Sequence, residues 1–216
     1  MIQSGDFVKL HYTGKLSDGT IFDTTNADVA ARAGFGGKVF KPAVICVGQK
    51  MLVSGLDAAI IGKGVGSFRV SLSSAHAFGA KDPNLIKIVP VTQLHKQQIQ
   101  PHPGLRLNID GKYGVVRSVN SGRAVVDFNH PLASQDVVYE VEVLAIIEEL
   151  NAQVRSLIET AGLPYKDVKV ENSNVTVVFN ELLPKPLLDI LTHQITTLTK
   201  CKTVSYEAGE KPKAKK

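Results

Sequence analysis

The residues best suited to chemistry lie in the segment 11–23, which places Tyr12, Phe22 and Asp23 around a tight turn. Two aromatic side chains beside one carboxylate are typical of an apolar pocket with a single polar group. Successive side chains of a strand face opposite ways, so Phe22 and Asp23 can line one pocket only if the strand kinks or ends there. The segment therefore predicts one wall of a binding pocket. The alternative is a solvated aspartate beside a core phenylalanine.

Short strands and one helix must position these side chains. Residues 8–13 alternate between apolar and polar, which predicts a half-buried strand, and Asp18-Gly19 predicts a hairpin turn before a returning strand at 21–25. The same patterns predict further strands at 44–47, 68–72 and 137–144 and a helix at 54–61.

Residues 80–136 are far too many for a hairpin connection in a compact domain, so they must contain a fold of their own. Apolar residues at 105–109, 113–119 and 124–128 predict three strands, and Asp110-Gly111 and 120–122 predict the turns between them. We therefore expect a small all-β domain inserted in a loop.

Residues from 148 onward have a different pattern. Apolar positions at helical spacing predict helices at 150–161 and 187–198, and strands are predicted around 168–170, 175–179 and Val204. A helix, two strands, a helix and a strand make a small α+β unit. So small a core is marginal alone, and packing against a second copy would help.

The formal net charge of +5 is concentrated at the carboxy terminus. Residues 200–216 contain six lysines and two glutamates, a net +4, which leaves +1 for the rest. We expect a nearly neutral folded body, a disordered and solubilising lysine-rich tail at 207–216, and no specific nucleic-acid partner. The alternative is a weak, sequence-independent attraction of the tail to ribosomal RNA or to a membrane surface.

Cysteine usage and hydropathy indicate a cytoplasmic protein. Cys46 and Cys201 are the only cysteines, and Cys46 lies in an apolar run, so no disulfide framework is expected. No apolar stretch approaches the roughly 20 residues that span a bilayer. The first residues show no export signal. We therefore predict a reducing, cytoplasmic location and no membrane partner.

Phosphate-binding, metal and hydrolytic motifs are missing from the sequence. The glycines of 62–66 lack the strand-loop-helix context of a phosphate loop, so they predict a turn. His95 and His102 are expected at the surface, and His130 is expected to cap or brace a loop rather than to bind metal. The sequence has no nucleophile elbow, no His-Glu-x-x-His and no Cys-x-x-Cys. We predict no metal site and no cofactor.

Three blocks resemble a known family. Segment 11–23, with its His-Tyr-Thr-Gly, Asp-Gly and Phe-Asp, and segment 47–56, followed by Ala-Phe-Gly at 77–79, resemble the FKBP-type peptidyl-prolyl isomerases. Segment 125–135 resembles the end of the insert-in-flap domain of SlyD-like members of that family. The carboxy-terminal pattern is similar in architecture to the extra domain of the longer archaeal FKBP proteins.

The resemblance implies an α+β fold class: an antiparallel FKBP half-barrel sheet with a short helix, an inserted small all-β domain and a carboxy-terminal α+β domain. The implied isomerase domain is discontinuous, at 1–86 and 137–147. The insert-in-flap chaperone domain would cover 87–136, and the carboxy-terminal domain 148–206. Because the archaeal domain of this kind dimerises, a homodimer through 148–206 is a further hypothesis.

The resemblance also implies an activity: cis–trans isomerisation of X-Pro bonds in unfolded or partly folded polypeptides, with chaperone binding by the insert. The implied catalytic residues share one apolar pocket: Tyr12, Phe22, Asp23, Val53, Leu56, Phe78 and Tyr139. The implied substrate-binding residues are Ile45 and Leu52 of the pocket and Ile99, Leu105, Val116 and Leu132 of the insert.

Each implied role is non-covalent. The N–H of Val53 would hold the substrate carbonyl, Leu56 would lie under the proline ring, and Asp23 would make one polar contact to the rotating amide. Leu56 replaces a Trp, and Phe78 a Tyr, of the drug-binding relatives, so tight macrolide binding is not expected. The alternative is a binding-only chaperone, a holdase or a ribosome-associated factor, with a vestigial isomerase pocket.

Overall fold

The chain folds into two compact units. A computed structural model describes residues 1–37, 39–109 and 111–209. The major unit contains Met1–Ser71 and the described residues from Val137 onward, and the insert unit contains Leu72–Asp136. Both units combine helices with sheets whose strands are mostly antiparallel, so the α+β class is confirmed.

The elements have the following bounds. The strands are β1 (Phe7–Leu16), β2 (Ile21–Thr24), β3 (Ala43–Cys46), β4 (Gly66–Leu72), β5 (Ile86–Pro90), β6 (Arg106–Ile109), β7 (Lys112–Asn120), β8 (Arg123–Asp127), β9 (Val137–Ile147), β10 (Asp167–Glu171), β11 (Asn174–Phe179) and β12 (Thr203–Ala208). The helices are α1 (Ala27–Arg32), α2 (Ser54–Ile60), α3 (Val91–Lys96), α4 (Leu150–Thr160) and α5 (Lys185–Leu198).

The long strand β1 is the centre of the first sheet. It pairs antiparallel with β3 through its first half, with β2 through its second half and with β9 along its other edge, and β9 pairs with β4. Val8 and Leu10 are fully buried, and Lys9 between them is exposed, as the alternation predicts. The predicted hairpin turn is confirmed: the N–H of Leu16 donates to the Thr20 carbonyl at 2.8 Å.

The carboxy-terminal elements share a core with this sheet. Helices α4 and α5 pack with a three-stranded sheet, in which β10 and β11 are antiparallel and β11 and β12 are parallel. Their buried apolar residues form one cluster that also contains Phe7 of β1 and Cys46 of β3. Residues from 148 onward, which we predicted as a separate domain, therefore belong to one compact unit with the sheet.

The insert unit is not all-β, which corrects the prediction. Its antiparallel sheet has the order β5-β8-β7-β6, and the helix α3 contributes the fully buried Leu94 to a core with Leu107, Val116 and Val126. A helix of six residues with one buried apolar side chain is too short to show a helical period.

The compact unit that contains the insert begins at Leu72, ahead of the predicted insert-in-flap domain 87–136, whose bounds stay a prediction. The N–H of Ser74 donates to the Asp136 carboxylate, and the N–H of Ser134 donates to the Gly79 carbonyl, both at 2.8 Å. These bonds join the segment after β4 to the end of the insert, so the compact unit begins at Leu72.

The structure also shortens the predicted tail. Glu207 and Ala208 belong to β12, and the N–H of Gly209 donates to the Phe179 carbonyl at 2.6 Å. The rest of the predicted tail, 210–216, and Asp110 of one predicted turn lie outside the described residues. No helix in the described ranges is long and apolar enough to cross a membrane.

Candidate active site

The candidate site is built on one row of residues across the first sheet. Gly14 of β1 pairs with Asp23 of β2 on one side and with Tyr139 of β9 on the other. Directly paired residues project to the same face, and Tyr12, two residues before Gly14, shares that face. Asp23, Tyr139 and Tyr12 therefore meet although they come from three strands.

A bulge in β2 brings Phe22 to the same place. The register runs from Gly14 opposite Asp23 to Lys15 opposite Ile21, so Phe22 is the extra residue on β2. A bulge re-aims the side chain that it inserts. This is the kink that the sequence required if Phe22 and Asp23 were to line one pocket.

Gly14 makes room for the aromatic rings. A Cβ atom at Gly14 would lie 2.5 Å from Cζ of Phe22 and 2.9 Å from Cε1 of Tyr139, distances shorter than van der Waals contact. The ring of Tyr139 meets that of Phe22 edge to face, with centroids 5.8 Å apart, and that of Tyr12 at 6.1 Å. Such edge-to-face pairs hold the rings in fixed orientations.

The polar contact of the site joins Tyr12 to Asp23. The Tyr12 hydroxyl donates a hydrogen bond to Oδ2 of Asp23 at 2.9 Å. The backbone of Tyr12 is fixed as well, because its N–H donates to Oγ1 of Thr25 at 2.9 Å and its carbonyl accepts from the N–H of Thr25 at 3.0 Å. The carboxylate of Asp23 is thereby held at the rim of the ring cluster.

Both phenols of the site resist ionisation. Burial, reinforced by the negative charge of Asp23, raises the pKa of Tyr139 to about 12. Burial also raises the pKa of Tyr12 well above its usual range, and the charge of Asp23 and its hydrogen bond act in the same direction. Near neutral pH the two hydroxyls are therefore hydrogen-bond donors and not bases.

The start of α2 places the next predicted residues. Val53 precedes the helix, and its carbonyl accepts from the N–H groups of Leu56 and Asp57, both at 2.9 Å. The side chain of Leu56 is fully buried. The N–H of Val53 itself finds no acceptor among residues 1–37, 39–109 and 111–209.

A buried carboxylate that sequence reasoning missed fixes the loop before α2. Asp57 accepts hydrogen bonds from the N–H of Gly48 at 2.9 Å and of Lys50 at 3.0 Å. The sequence of α2 does not predict that Asp57 is buried, because its hydrogen-bond donors come from a loop whose path the sequence does not reveal. Asp57 therefore fixes the backbone of the loop that leads to Leu52 and Val53.

Ile45 and Leu52 line a cleft of about 620 Å³ together with Tyr12. This volume falls within the roughly 300–1,000 Å³ of typical ligand pockets. The cleft lies wholly in the major unit, and Tyr12 belongs both to it and to the ring cluster.

The other predicted residues lie in the insert unit. The ring of Phe78 stacks face to face on that of His130, with centroids 4.6 Å apart, and Nδ1 of His130 accepts from the N–H of Leu132 at 3.2 Å. The expectation that His130 braces its loop is confirmed. The part of Phe78 and of Leu132 in substrate binding stays a prediction.

Val116, which we expected to bind substrate, lies in the core of the insert unit. It is 1% exposed in the insert core, so its side chain supports the fold and does not present a binding surface. Ile99 and Leu105 pack on the same core and stay partly exposed. A residue in the middle of an apolar strand run gives no sign of which face is covered.

The insert unit contains a second aspartate with several partners. Asp127 is 4% exposed and accepts hydrogen bonds from Arg117 at 2.8 Å and from the N–H and amide of Asn129 at 2.9 Å. Lys81 lies 3.4 Å away. Burial favours the neutral acid, but the bonds from Asn129 and Arg117 and the charge of Lys81 outweigh it and hold the pKa of Asp127 well below its usual range.

The arrangement has the chemistry of a non-covalent site. Among the described residues, no group of His, Cys, Asp and Glu side chains is arranged to hold a metal ion. What the ring cluster offers is apolar surface, protonated phenols and one carboxylate. A site of this class can bind a substrate and change its preferred conformation without bond making.

The sequence is similar to those of known proteins. Residues 87–132 match the family model described as "FKBP26, IF domain". The chain is 34% identical over 157 residues to the FKBP-type 16 kDa peptidyl-prolyl cis-trans isomerase of Escherichia coli (strain K12), covering 70% of this chain and 97% of the relative. The FKBP-type peptidyl-prolyl cis-trans isomerase SlyD of the same strain is 31% identical over 152 residues, covering 68% and 71%. The Short-type peptidyl-prolyl cis-trans isomerase of Methanocaldococcus jannaschii is 27% identical over 146 residues, covering 66% and 92%.

The chain therefore belongs to the family of FKBP-type peptidyl-prolyl cis-trans isomerases and is an enzyme of that class. The predicted family and enzyme class are confirmed.

Proposed function

We propose that the chain accelerates rotation about X-Pro bonds in unfolded or partly folded polypeptides by binding the twisted amide in the cluster of Tyr12, Phe22 and Tyr139. Rotation costs about 20 kcal/mol because the planar amide loses resonance. The twisted carbonyl is less polar than the planar one, so an apolar surface favours it over the ground state. Binding the transition state more tightly than the substrate accelerates the reaction without acid, base or nucleophile.

The observation that carries this proposal is the hydrogen bond from Tyr12 to Asp23 beside the packed rings of Phe22 and Tyr139. The rings supply the apolar surface, and Asp23 would orient the one reorganising peptide group. Burial raises the pKa of Tyr12, so its hydroxyl stays protonated near neutral pH and can donate to Asp23.

Two further groups fit the substrate backbone. The N–H of Val53, which has no acceptor among the described residues, would donate to the substrate carbonyl. Leu56, buried in the first turn of α2, would support the floor under the proline ring.

We assign the insert unit the role of a SlyD-like, insert-in-flap chaperone domain. Its strand β5 is an edge strand, with Ile88 65% and Ile86 41% exposed. An open edge with apolar side chains can take up an extended chain by strand addition, together with the partly exposed Ile99 and Leu105. Capture there would raise the local concentration of prolines at the pocket.

A tetrapeptide assay tests the isomerase proposal. Wild type is expected to accelerate cis–trans exchange of an Ala-Leu-Pro-Phe peptide in a protease-coupled assay, and Tyr12→Ala and Asp23→Ala are expected to lose most of that acceleration. Absence of acceleration by wild type would favour the second candidate, a binding-only chaperone. The exposed apolar side chains of Ile86 and Ile88 support that candidate.

Deleting the insert separates the two activities. The hydrogen bond from Ser134 to Gly79 places the ends of the segment 80–133 side by side, so a short Gly-Ser link can replace it. We expect this variant to isomerise the tetrapeptide nearly as wild type does and to catalyse refolding of a proline-limited protein far less. Equal loss in both assays would contradict the division of labour.

We also propose that the carboxy-terminal elements support a homodimer in the cytoplasm. Ile190 on α5 is 58% exposed and Leu187, three residues earlier, is 44% exposed, which leaves an apolar stripe on the helix. Both cysteines are free thiols, which fits a reducing compartment. A monomer by light scattering at micromolar concentration would contradict the dimer.

A further inference from the structure

The cleft of about 620 Å³ has one wall that the isomerase family pattern does not supply. Apolar side chains from β3, its flanking residues and α4 line it: Pro42, Ala43, Val44, Met51 and Ala152. The helix α4 lies beyond Ile147, the last residue of the isomerase domain that the sequence resemblance implies, and it packs on β3. The cleft therefore exists only because the carboxy-terminal elements share a core with the sheet.

This cleft is continuous with the proposed proline site. Tyr12, Ile45 and Leu52 line it, and Tyr12 also contacts Tyr139 in the ring cluster. A polypeptide whose proline lies against the cluster thus has an apolar path along the other side of Tyr12. Because the cleft shares Tyr12 with the proposed proline site, the occupant that it favours is the substrate polypeptide itself.

The charges at the rim of the cleft are mostly positive. Lys41 pairs with Glu159 at 2.6 Å, and Arg155 pairs at 2.7 Å with Asp167, which is not part of the lining. Lys9 also lines the cleft and forms no ion pair in the described part of the chain. An acidic side chain in the cleft would therefore meet an unneutralised lysine, and a basic one would be repelled.

From these observations we infer that the cleft between β3 and α4 is a second subsite of the enzyme. It binds the segment of the substrate polypeptide next to the proline and prefers apolar residues accompanied by an acidic one. The inference rests on the proposed function, because it takes the ring cluster as the proline site.

Peptides of two lengths test the subsite. One is the tetrapeptide of the isomerase assay; the other adds Leu-Met-Glu segments on both sides, and a matched peptide carries Lys in place of Glu. The measured quantity is the ratio of kcat/KM for the long peptide to that for the tetrapeptide. Burial of one further apolar side chain predicts a ratio of about ten for wild type, and the acidic peptide should exceed the basic one a few-fold.

Two variants and two controls locate the effect. Ala152→Phe fills the cleft, and the exposed Ala31→Phe on α1 is its control. Lys9→Glu reverses the rim charge, and the exposed Lys169→Glu on β10 is its control. We expect Ala152→Phe to bring the length ratio close to one and Lys9→Glu to reverse the preference for the acidic peptide, with both controls like wild type.

The outcomes separate the inference from the proposed function. If Ala152→Phe leaves the length ratio unchanged and Lys9→Glu leaves the charge preference unchanged, the subsite is overturned, even if wild type is a good isomerase. If wild type accelerates neither peptide, the proposed function fails. In that case the affinity of the labelled long peptide, measured by fluorescence anisotropy, still tests the subsite. The subsite requires that the peptide bind Ala152→Phe more weakly than wild type and Ala31→Phe.

Discussion

Two aspartates of this enzyme, Asp23 in the major unit and Asp127 in the insert unit, have contrasting surroundings. Asp127 is almost fully buried and is held by a guanidinium, an ammonium and the N–H groups of Asn129. Asp23 is partly exposed and accepts a hydrogen bond from the phenol of Tyr12 beside two further aromatic rings.

The difference distinguishes a carboxylate that supports the fold from one that is placed for a substrate. The partners of Asp127 come from β7, the end of β8 and the loop before β5, so its bonds join distant parts of the insert. The phenol partner of Asp23 keeps the carboxylate oriented at an apolar surface, where an electrostatic contact to a substrate is strong. Burial and strong partners alone therefore do not mark the functional aspartate.

Among the variants that test this contrast, Gly14→Ala is expected to have the largest effect, a loss of isomerase activity. The new Cβ would lie 2.5 Å from Phe22 and would push the rings apart without replacing either aspartate. We expect kcat/KM for the tetrapeptide to fall by roughly 10²-fold, the scale that follows from about 1 Å of misplacement in a catalytic site. Gly64→Ala is the matched control, because a Cβ at Gly64 meets nothing within 4 Å. Similar activities of the two variants would show that the ring geometry is not essential.

Asp127→Asn is expected to act on stability alone. Asparagine keeps an acceptor for Asn129, but it removes the charge and turns an NH2 group toward Arg117 and Lys81. Both cations are partly exposed, so we expect a loss of about 1–3 kcal/mol in the free energy of unfolding. Because folding lowers the pKa of Asp127, this contribution is present above about pH 4, the unfolded value, and is lost as the pH falls further. Urea unfolding followed by circular dichroism should show wild type and variant differing at pH 7 and converging toward pH 2, with the exposed Asp189→Asn like wild type. A constant difference would exclude the carboxylate charge as the cause.

Tyr12→Phe should have a smaller effect, because it removes one hydroxyl and retains the ring. Asp23 loses the Tyr12 donor, and we expect kcat/KM for the tetrapeptide to fall by about tenfold, the scale of one lost hydrogen bond to a charged group. Tyr113→Phe, at a residue that is 80% exposed, is the control. Wild-type activity of Tyr12→Phe would mean that Asp23 needs no phenol to hold it.

The sequence was sufficient for the strands that carry the site. Alternation at 8–13 and 137–144 and the Asp18-Gly19 turn predicted β1, β9 and the hairpin correctly, and the need for a kink at Phe22 was met by the bulge. These are local signals, and each acts within a few residues.

Features that depend on distant residues could not be predicted. Gly14 is required by rings from β2 and β9, and Arg117 meets Asp127 only through the register of β7 and β8. The helices α1 and α3 have six residues each, too few to show a period. The shared core of Phe7 with the carboxy-terminal helices has no local signature at all.

The most direct test of the contrast between the two carboxylates is tetrapeptide isomerisation by Asp23→Asn measured beside Asp127→Asn, with urea unfolding of both. Asparagine keeps an acceptor for Tyr12 and removes only the charge. If the charge of Asp23 acts on the substrate, Asp23→Asn loses about tenfold in kcat/KM, the scale of one charge-assisted contact, and unfolds like wild type. Asp127→Asn is expected to isomerise the tetrapeptide like wild type and to unfold at a lower urea concentration. Wild-type isomerisation by Asp23→Asn would contradict the account.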